Sequence, residues 1–226
     1  MAFWRRTRDK DVGDAAIAQA VVDRLTHVLG TAPGVYREIL PDVLGLDLLL
    51  FAPTGTRDFW VVSTLGCSFR DMTVPQDMRD AALWRRAEFL ITLPRDWPGL
   101  SVTDGIVGDD AHFHAMRLLK RVARYPHAHA AMLGPVTTLD LPEPITGDSP
   151  MQSAIVTWPI FARTDDDAGV EVQGLSVNFY QVSPIHQSER AISDRSGTGA
   201  LMDLLTAAGA LRVFDTARAP LTEEPA

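Results

Sequence analysis

A single cysteine, Cys67, is too few for an intramolecular disulfide or for a metal site built on several thiolates. It follows the apolar run Phe59 to Leu65, where a small buried residue is the ordinary expectation; a reactive thiol needs an activating base or a helix N-terminus beside it. There is no stretch of about 18 apolar residues, so no membrane-spanning helix is expected. The opening Met1-Ala2-Phe3-Trp4-Arg5-Arg6 lacks the apolar segment of a secretory signal, and a cytoplasmic location is the expectation. Basic residues are in deficit, 21 against 29 acidic ones. The resulting charge of −8 repels nucleic acid and anionic membranes and suits a basic partner. No Gly-x-Ser-x-Gly setting is present, and Gly197-Thr198-Gly199 lacks the lysine of a phosphate loop, so hydrolase and nucleotide-binding readings lose support. Internal repeats and low-complexity tracts are also missing.

What is present is the composition of a folded protein, 46% hydrophobic and 22% charged, at a length that suits one large domain. Residues 12–211 read as that domain, of α/β (α+β) class, followed by a flexible tail over 217–226. Ile17, Val21, Val22, Leu25, Val28 and Leu29 recur as one face of a helix that Gly30 stops. Extended segments are expected at Val35 to Leu40, Leu46 to Phe51, Asp58 to Leu65 and Phe89 to Leu93. The nearly continuous apolar run from Leu46 predicts a strand covered on both faces. A helix between Asp109 and Tyr125, with Pro126 at its exit, would cover the sheet.

Three prolines and a glycine make Leu139 to Pro150 a surface connection and place a subdomain boundary near 140–150. Strands are expected again at Ser153 to Phe161 and Val170 to Val182, paired as a hairpin across the acidic turn Thr164 to Gly169. Ser183 as N-cap and Pro184 as first helical residue predict a helix toward Ile192. A last helix runs from Ala200 to Ala208 and stops at Gly209.

Chemistry has few candidates. His112/His114 and His127/His129 are His-x-His pairs, yet residues two apart on a helix diverge, and no Glu-x-x-His or thiolate set completes a site. Asp165-Asp166-Asp167 lacks the ligand spacing of a calcium loop and reads as a solvated turn. Glu88, Asp96 and Glu189 are lone carboxylates of the kind that form ion pairs or caps. Arg79, Arg85 and Arg86, with Arg117, Lys120, Arg121 and Arg124, form a charged solvent face or a seat for an acidic ligand. No catalytic residue, metal or cofactor is assigned.

Leu46-Asp47-Leu48-Leu49-Leu50-Phe51-Ala52-Pro53-Thr54 is an apolar strand ending in a Pro-Thr turn, and Phe59-Trp60-Val61-Val62-Ser63-Thr64-Leu65-Gly66-Cys67-Ser68 follows it. Arg86-Ala87-Glu88-Phe89-Leu90-Ile91-Thr92-Leu93-Pro94 and Val177-Asn178-Phe179-Tyr180-Gln181-Val182-Ser183-Pro184-Ile185 come after, in order. Together these segments resemble the Suppressor of Fused-like family in its bacterial form, with Leu65 and Cys67 standing where Ser and Met are more familiar. The resemblance implies a mixed, mainly antiparallel central sheet covered by helices. It also implies action by protein binding rather than catalysis: the animal protein sequesters a transcription factor, and bacterial relatives are associated with toxin neutralisation.

The expected function is therefore an immunity or antitoxin protein that binds a partner, a basic toxin, through a sheet edge or groove. Asp58, Trp60 and Asp71, around the first hairpin, are the candidate contacts and are expected to be exposed. Two other readings stay open, a metal-dependent hydrolase using His127, His129 and the acidic turn, and a structural or secretion-associated adaptor.

Overall fold

Leu48, Leu49, Leu50 and Phe51 are all fully buried, so the strand they form needs cover on both faces, and the architecture supplies it. The computed structural model describes residues 12–38, 44–106, 113–146 and 149–222. Its strands are β1 (Gly34–Tyr36), β2 (Asp47–Phe51), β3 (Phe59–Leu65), β4 (Arg86–Pro94), β5 (Leu100–Ser101), β6 (Gly105–Ile106), β7 (Thr137–Asp140), β8 (Met151–Thr157), β9 (Gly169–Val172) and β10 (Leu175–His186). The helices are α1 (Val12–Leu29), α2 (His114–Ala128), α3 (Gln187–Ser196) and α4 (Thr198–Ala207). Eight strands make one sheet in the order β1-β2-β3-β4-β10-β8-β7, with β9 also paired to β10 and β5-β6 forming a separate small hairpin. Within that sheet only β4 and β10 run parallel. None of the described helices is long and apolar enough to cross a membrane.

Alternation along the strands divides the core into two faces. Leu48, Leu50, Val62, Phe89, Ile91, Val156, Tyr180 and Val182 pack on one side with Met116, Leu119 and Val122 of α2. Leu49, Phe51, Val61, Leu90, Val177 and Phe179 pack on the other with Ile17, Val21, Leu25 and Leu29 of α1. Ile155 and Ile185 continue that second face under Ile192, Leu201 and Leu205 of α3 and α4.

At the β1 edge, Gly34 lies so close to the β5-β6 hairpin that a Cβ would sit 2.3 Å from the Val102 carbonyl oxygen. Gly34→Ala must push the hairpin away. The expected cost is about 1–3 kcal/mol, the usual price of overpacking, read as an earlier urea midpoint with an unchanged slope.

Several sequence expectations are corrected here. The segment Val170 to Val182 is two strands, because Gln173 (φ 53°) and Gly174 (φ 75°) form a tight turn that pairs β9 with β10. β8 therefore pairs with the later half of β10, from Gln181 to His186, and not with β9. Pro184 lies inside β10 rather than opening a helix. Parallel pairing with β4 ends at Gln181, so beyond it β10 has a strand on one side only and a residue without an N–H is tolerated. Helix α3 starts at Gln187 instead, with His186 as N-cap and Glu189 closing a capping box. Pro126 is buried within α2, whose last turn closes through His129 N–H to Tyr125 O (3.1 Å) and Ala131 N–H to Pro126 O (2.9 Å). The start of the expected surface connection, Leu139 and Asp140, belongs instead to the edge strand β7, and Leu139 and Leu141 are buried in the core.

The split between the diverging halves of β4 and β10 is filled from the C-terminus. Phe214 N–H donates to Thr92 O (2.7 Å), and Gln181 Nε2 to Leu211 O (2.6 Å). Further on, Ser149 Oγ donates to Thr216 O at 3.1 Å, and Arg218 binds Glu189. Of the expected flexible tail, 217–226, Arg218 pairs with Glu189 and the Leu221 amide donates to the same carboxylate (2.8 Å), while 223–226 lie outside the described residues.

Candidate partner-binding surface

Helix α2 is sharply two-faced. Ala115, Met116, Leu118, Leu119, Val122, Ala123 and Pro126 are buried against the sheet, while Arg117, Lys120, Arg121 and Arg124, spaced by three and four residues, share the opposite face. Glu38 fixes part of that face. Its carboxylate accepts from Lys120 Nζ (2.8 Å), Arg124 Nη2 (2.7 Å) and the Leu46 amide (2.9 Å). Burial works to raise the Glu38 pKa, but the guanidinium, the amide and the ammonium outweigh it and hold the carboxyl below its ordinary range.

A groove of about 830 Å³ runs beside these cations, and its far wall is Leu139 to Pro142, the end of β7. Tyr125 and His129 also line it, with their rings stacked 4.3 Å apart.

β7 is the last strand of the sheet on this side, and its register decides which backbone groups are open. Leu141 N–H donates to Gln152 O at 2.9 Å, continuing the pairing in which Thr137 faces Val156 and Leu139 faces Ala154. Antiparallel ladders alternate, so Thr137 and Leu139 spend their backbone groups on β8 while those of Thr138 and Asp140 point outward. Among the described residues no strand pairs with that outer edge. At the other end of the sheet, Val102 of the β5-β6 hairpin packs against Gly34 of β1.

The residues singled out from sequence do not gather here. Trp60, expected to be exposed, is only 9% exposed and donates its indole N–H to Arg95 O (3.1 Å), because its strand is covered on both faces. Asp58 and Asp71 are exposed, but one precedes β3 and the other follows it. Asp58 pairs with Arg212 (2.8 Å) and Asp71 with Arg86 (2.7 Å).

His112 lies outside the described residues. His114 packs among Trp97 and Phe214, and His129 sits on Tyr125, with its Nδ1 3.1 Å from the Tyr125 carbonyl. His127 turns the other way, and its Nε2 is 3.5 Å from Cys67 Sγ. Burial pushes the Cys67 thiol well above its usual range, helped by Glu88 and opposed by Arg124. Burial, with the charge of Arg70, lowers His127. The pair is therefore a neutral thiol beside a neutral imidazole, not the thiolate–imidazolium arrangement of a nucleophile. Among the described residues no three His, Cys, Asp or Glu side chains are placed so that they could hold a metal ion. Asp165 to Asp167 start a short 3-10 helix that Thr164 and Asp167 cap.

Glu88 has a role that its sequence position alone does not disclose. It is fully buried in β4 and accepts from Thr64 Oγ1, Ser68 Oγ and the amides of Gly66, Cys67 and Ser68 at 2.5–3.3 Å. It thus fixes the loop that leaves β3.

The family model described as Suppressor of fused protein (SUFU) matches residues 43–219. No curated protein sequence matches the chain. Among solved structures, the chain is similar to a protein described as a SUFU homolog from Neisseria gonorrhoeae FA 1090, with TM-score 0.64 and 16% identity over 92% of this chain and 98% of that one. It is also similar to a chain of the Sufu–Fu complex, with TM-score 0.63 and 14% identity over 90% and 91%. Drosophila Suppressor of Fused gives TM-score 0.64 and 14% identity over 90% of this chain, which spans about half of that protein (50%). At such identities the likeness is one of fold.

Proposed function

The chain belongs to the Suppressor of fused family, and from that membership and its open sheet edge we propose that it is a non-catalytic binder that holds an extended segment of another protein against β7. The observation that carries this is the pair of outward-facing backbone positions, Thr138 and Asp140, beside the groove under α2. An added strand gains affinity from main-chain hydrogen bonds there and specificity from side chains laid in the groove. A chain of similar fold occurs in the Sufu–Fu complex, which supports protein binding by this architecture.

The finer reading is stoichiometric neutralisation, as an immunity or antitoxin protein. Its support is the charge of −8, which accelerates encounter with a basic protein such as a toxin acting on nucleic acid. In this reading Asp58 and Asp71 act as rim charges during approach. The cations along α2 select what sits in the groove, favouring a segment that carries a carboxylate.

Thr138→Pro tests the edge directly. It deletes an outward N–H and leaves the Thr137 and Leu139 bonds to β8 in place, and edge strands accept proline. In co-purification and toxicity rescue with the products of adjacent genes, wild type should capture and protect. The variant should lose at least about tenfold in affinity, the scale of one or two main-chain hydrogen bonds, with its thermal melt little changed. Failure of wild type to retain any partner, or full binding by Thr138→Pro, would sink the proposal.

A further inference from the structure

A second cleft lies away from the β7 groove, where the chain leaves β8 and passes over β9. It encloses about 680 Å³, and its walls include Leu83, Trp84, Trp158, Asp165, Asp166 and Glu171. Leu83 and Trp158 are 47% and 41% exposed, unusual for such large apolar side chains, and they stand on the same cleft. Both are held in place. Trp158 packs on the fully buried Tyr180 ring at 5.3 Å, and the Leu83 carbonyl accepts from Asn178 Nδ2 of β10 at 2.7 Å. Apolar groups fixed in this way lose little entropy when a partner covers them.

The Trp84 and Trp158 ring centroids are 6.3 Å apart with their planes inclined at 46°. A cation on the open side of such a wedge lies within about 6 Å of both centroids, the range over which indole faces attract positive charge. Among the described residues no lysine or arginine of the chain sits over either ring. The surroundings favour the same ligand. Asp165, Asp166 and Glu171 are three carboxylates on the cleft walls against the two guanidiniums of Arg24 and Arg163. The Thr164–Asp167 capping box holds Asp165 and Asp166 on a defined turn, and Glu171 is fixed by the Ser176 hydroxyl at 2.6 Å.

We propose that this cleft is a second recognition site, which takes a lysine or arginine side chain of a partner protein between Trp84 and Trp158 under the acidic turn. It is separate from the β7 edge, so one partner can engage both or two partners can engage one each. A neutral apolar ligand would use the tryptophans but leave the carboxylates without a role. An acidic ligand would be repelled.

The test is a titration of the indole N–H signals in nitrogen-15 correlation spectra, assigned by single Trp→Phe variants. The probes are acetyl-Gly-Arg-Gly-Arg-Gly-amide and its Glu and Ser counterparts at millimolar concentration. The Arg peptide should shift the Trp84 and Trp158 signals and leave those of Trp60 and Trp97 in place. Trp158→Ala should weaken binding about tenfold, as expected for loss of a desolvated cation–π contact. Trp158→Phe, which keeps a ring on Tyr180, should weaken it less. Asp165→Asn with Asp166→Asn should weaken binding by about threefold and flatten its salt dependence. Equal shifts from the Arg and Glu peptides, or none from the Arg peptide, would overturn the proposal. Thr138→Pro should leave the titration unchanged, so failure of this site and failure of the β7 reading are distinguishable.

Discussion

Replacing Glu88 by alanine should destabilise the fold by about 3–5 kcal/mol, because it leaves several buried donors without their acceptor. The side chain is fully buried, and among the described residues its partners are neutral donors rather than a cation. Three consecutive amides, Gly66 to Ser68, turn toward it because Gly66 adopts φ 124°, and a Cβ at Gly66 would also meet the Gly45 carbonyl oxygen at 2.7 Å. Removing the acceptor strands those amides in a buried loop, with the Thr64 and Ser68 hydroxyls beside them, and each unsatisfied group costs about 1–3 kcal/mol.

Glu88→Gln keeps one acceptor oxygen but points an NH2 at donors, so it should cost less than alanine, about 1–3 kcal/mol. Urea unfolding at neutral pH measures both variants. A loss below about 1 kcal/mol for Glu88→Ala would show that water replaces the carboxylate and that the loop does not depend on it.

Why Glu88 could not be read in advance is a matter of range. Its donors lie 20 to 24 residues earlier in the chain, and in sequence it is only a lone acid entering an apolar strand. The strands around it were legible because their signal is local. The apolar runs at Leu46 and Phe59 describe β2 and β3 almost to the residue, and Gly30 marks the end of α1. Proline misled twice, at Pro126 and Pro184, because its local preference for breaking structure is overridden where its missing N–H faces no partner or where the next amides close the turn. The hairpin at Gln173-Gly174 had a signal in its glycine, hidden inside a segment of even strand propensity. The basic face of α2 was visible as a spacing of three and four. The opposite wall of its groove was not, since the prolines after Asp140 disguise the short strand β7 as a loop.

The C-terminal segment leads to the second large effect. Arg218→Ala should cost about 3–5 kcal/mol at neutral pH, because it leaves a buried carboxylate without its counter-charge. The Glu189 side chain is fully buried and that of Arg218 is 13% exposed. The guanidinium donates to both carboxylate oxygens, one at 2.6 Å, while the Leu221 and His186 amides donate at 2.8 and 2.9 Å. Burial alone would raise the Glu189 pKa, but Arg218 and then the two amides overcome it and hold the carboxyl below its ordinary 4.5. A carboxyl lowered on folding contributes stability that is present above 4.5 and is lost as the pH falls through the folded value.

In Arg218→Ala only the amides oppose burial, so the carboxyl moves upward and takes up its proton earlier. Protonation then removes the unpaired charge in the variant while it breaks the ion pair in the wild type. The stability gap between the two proteins should therefore be widest near neutrality and narrow as the pH falls toward and below 4.5. Urea titrations of both proteins at neutral pH and at about pH 4, near the free carboxylate value, measure this gap. A gap of equal size at both would mean that Arg218 acts through packing alone, and that the ion pair is not what holds the C-terminal segment against α3.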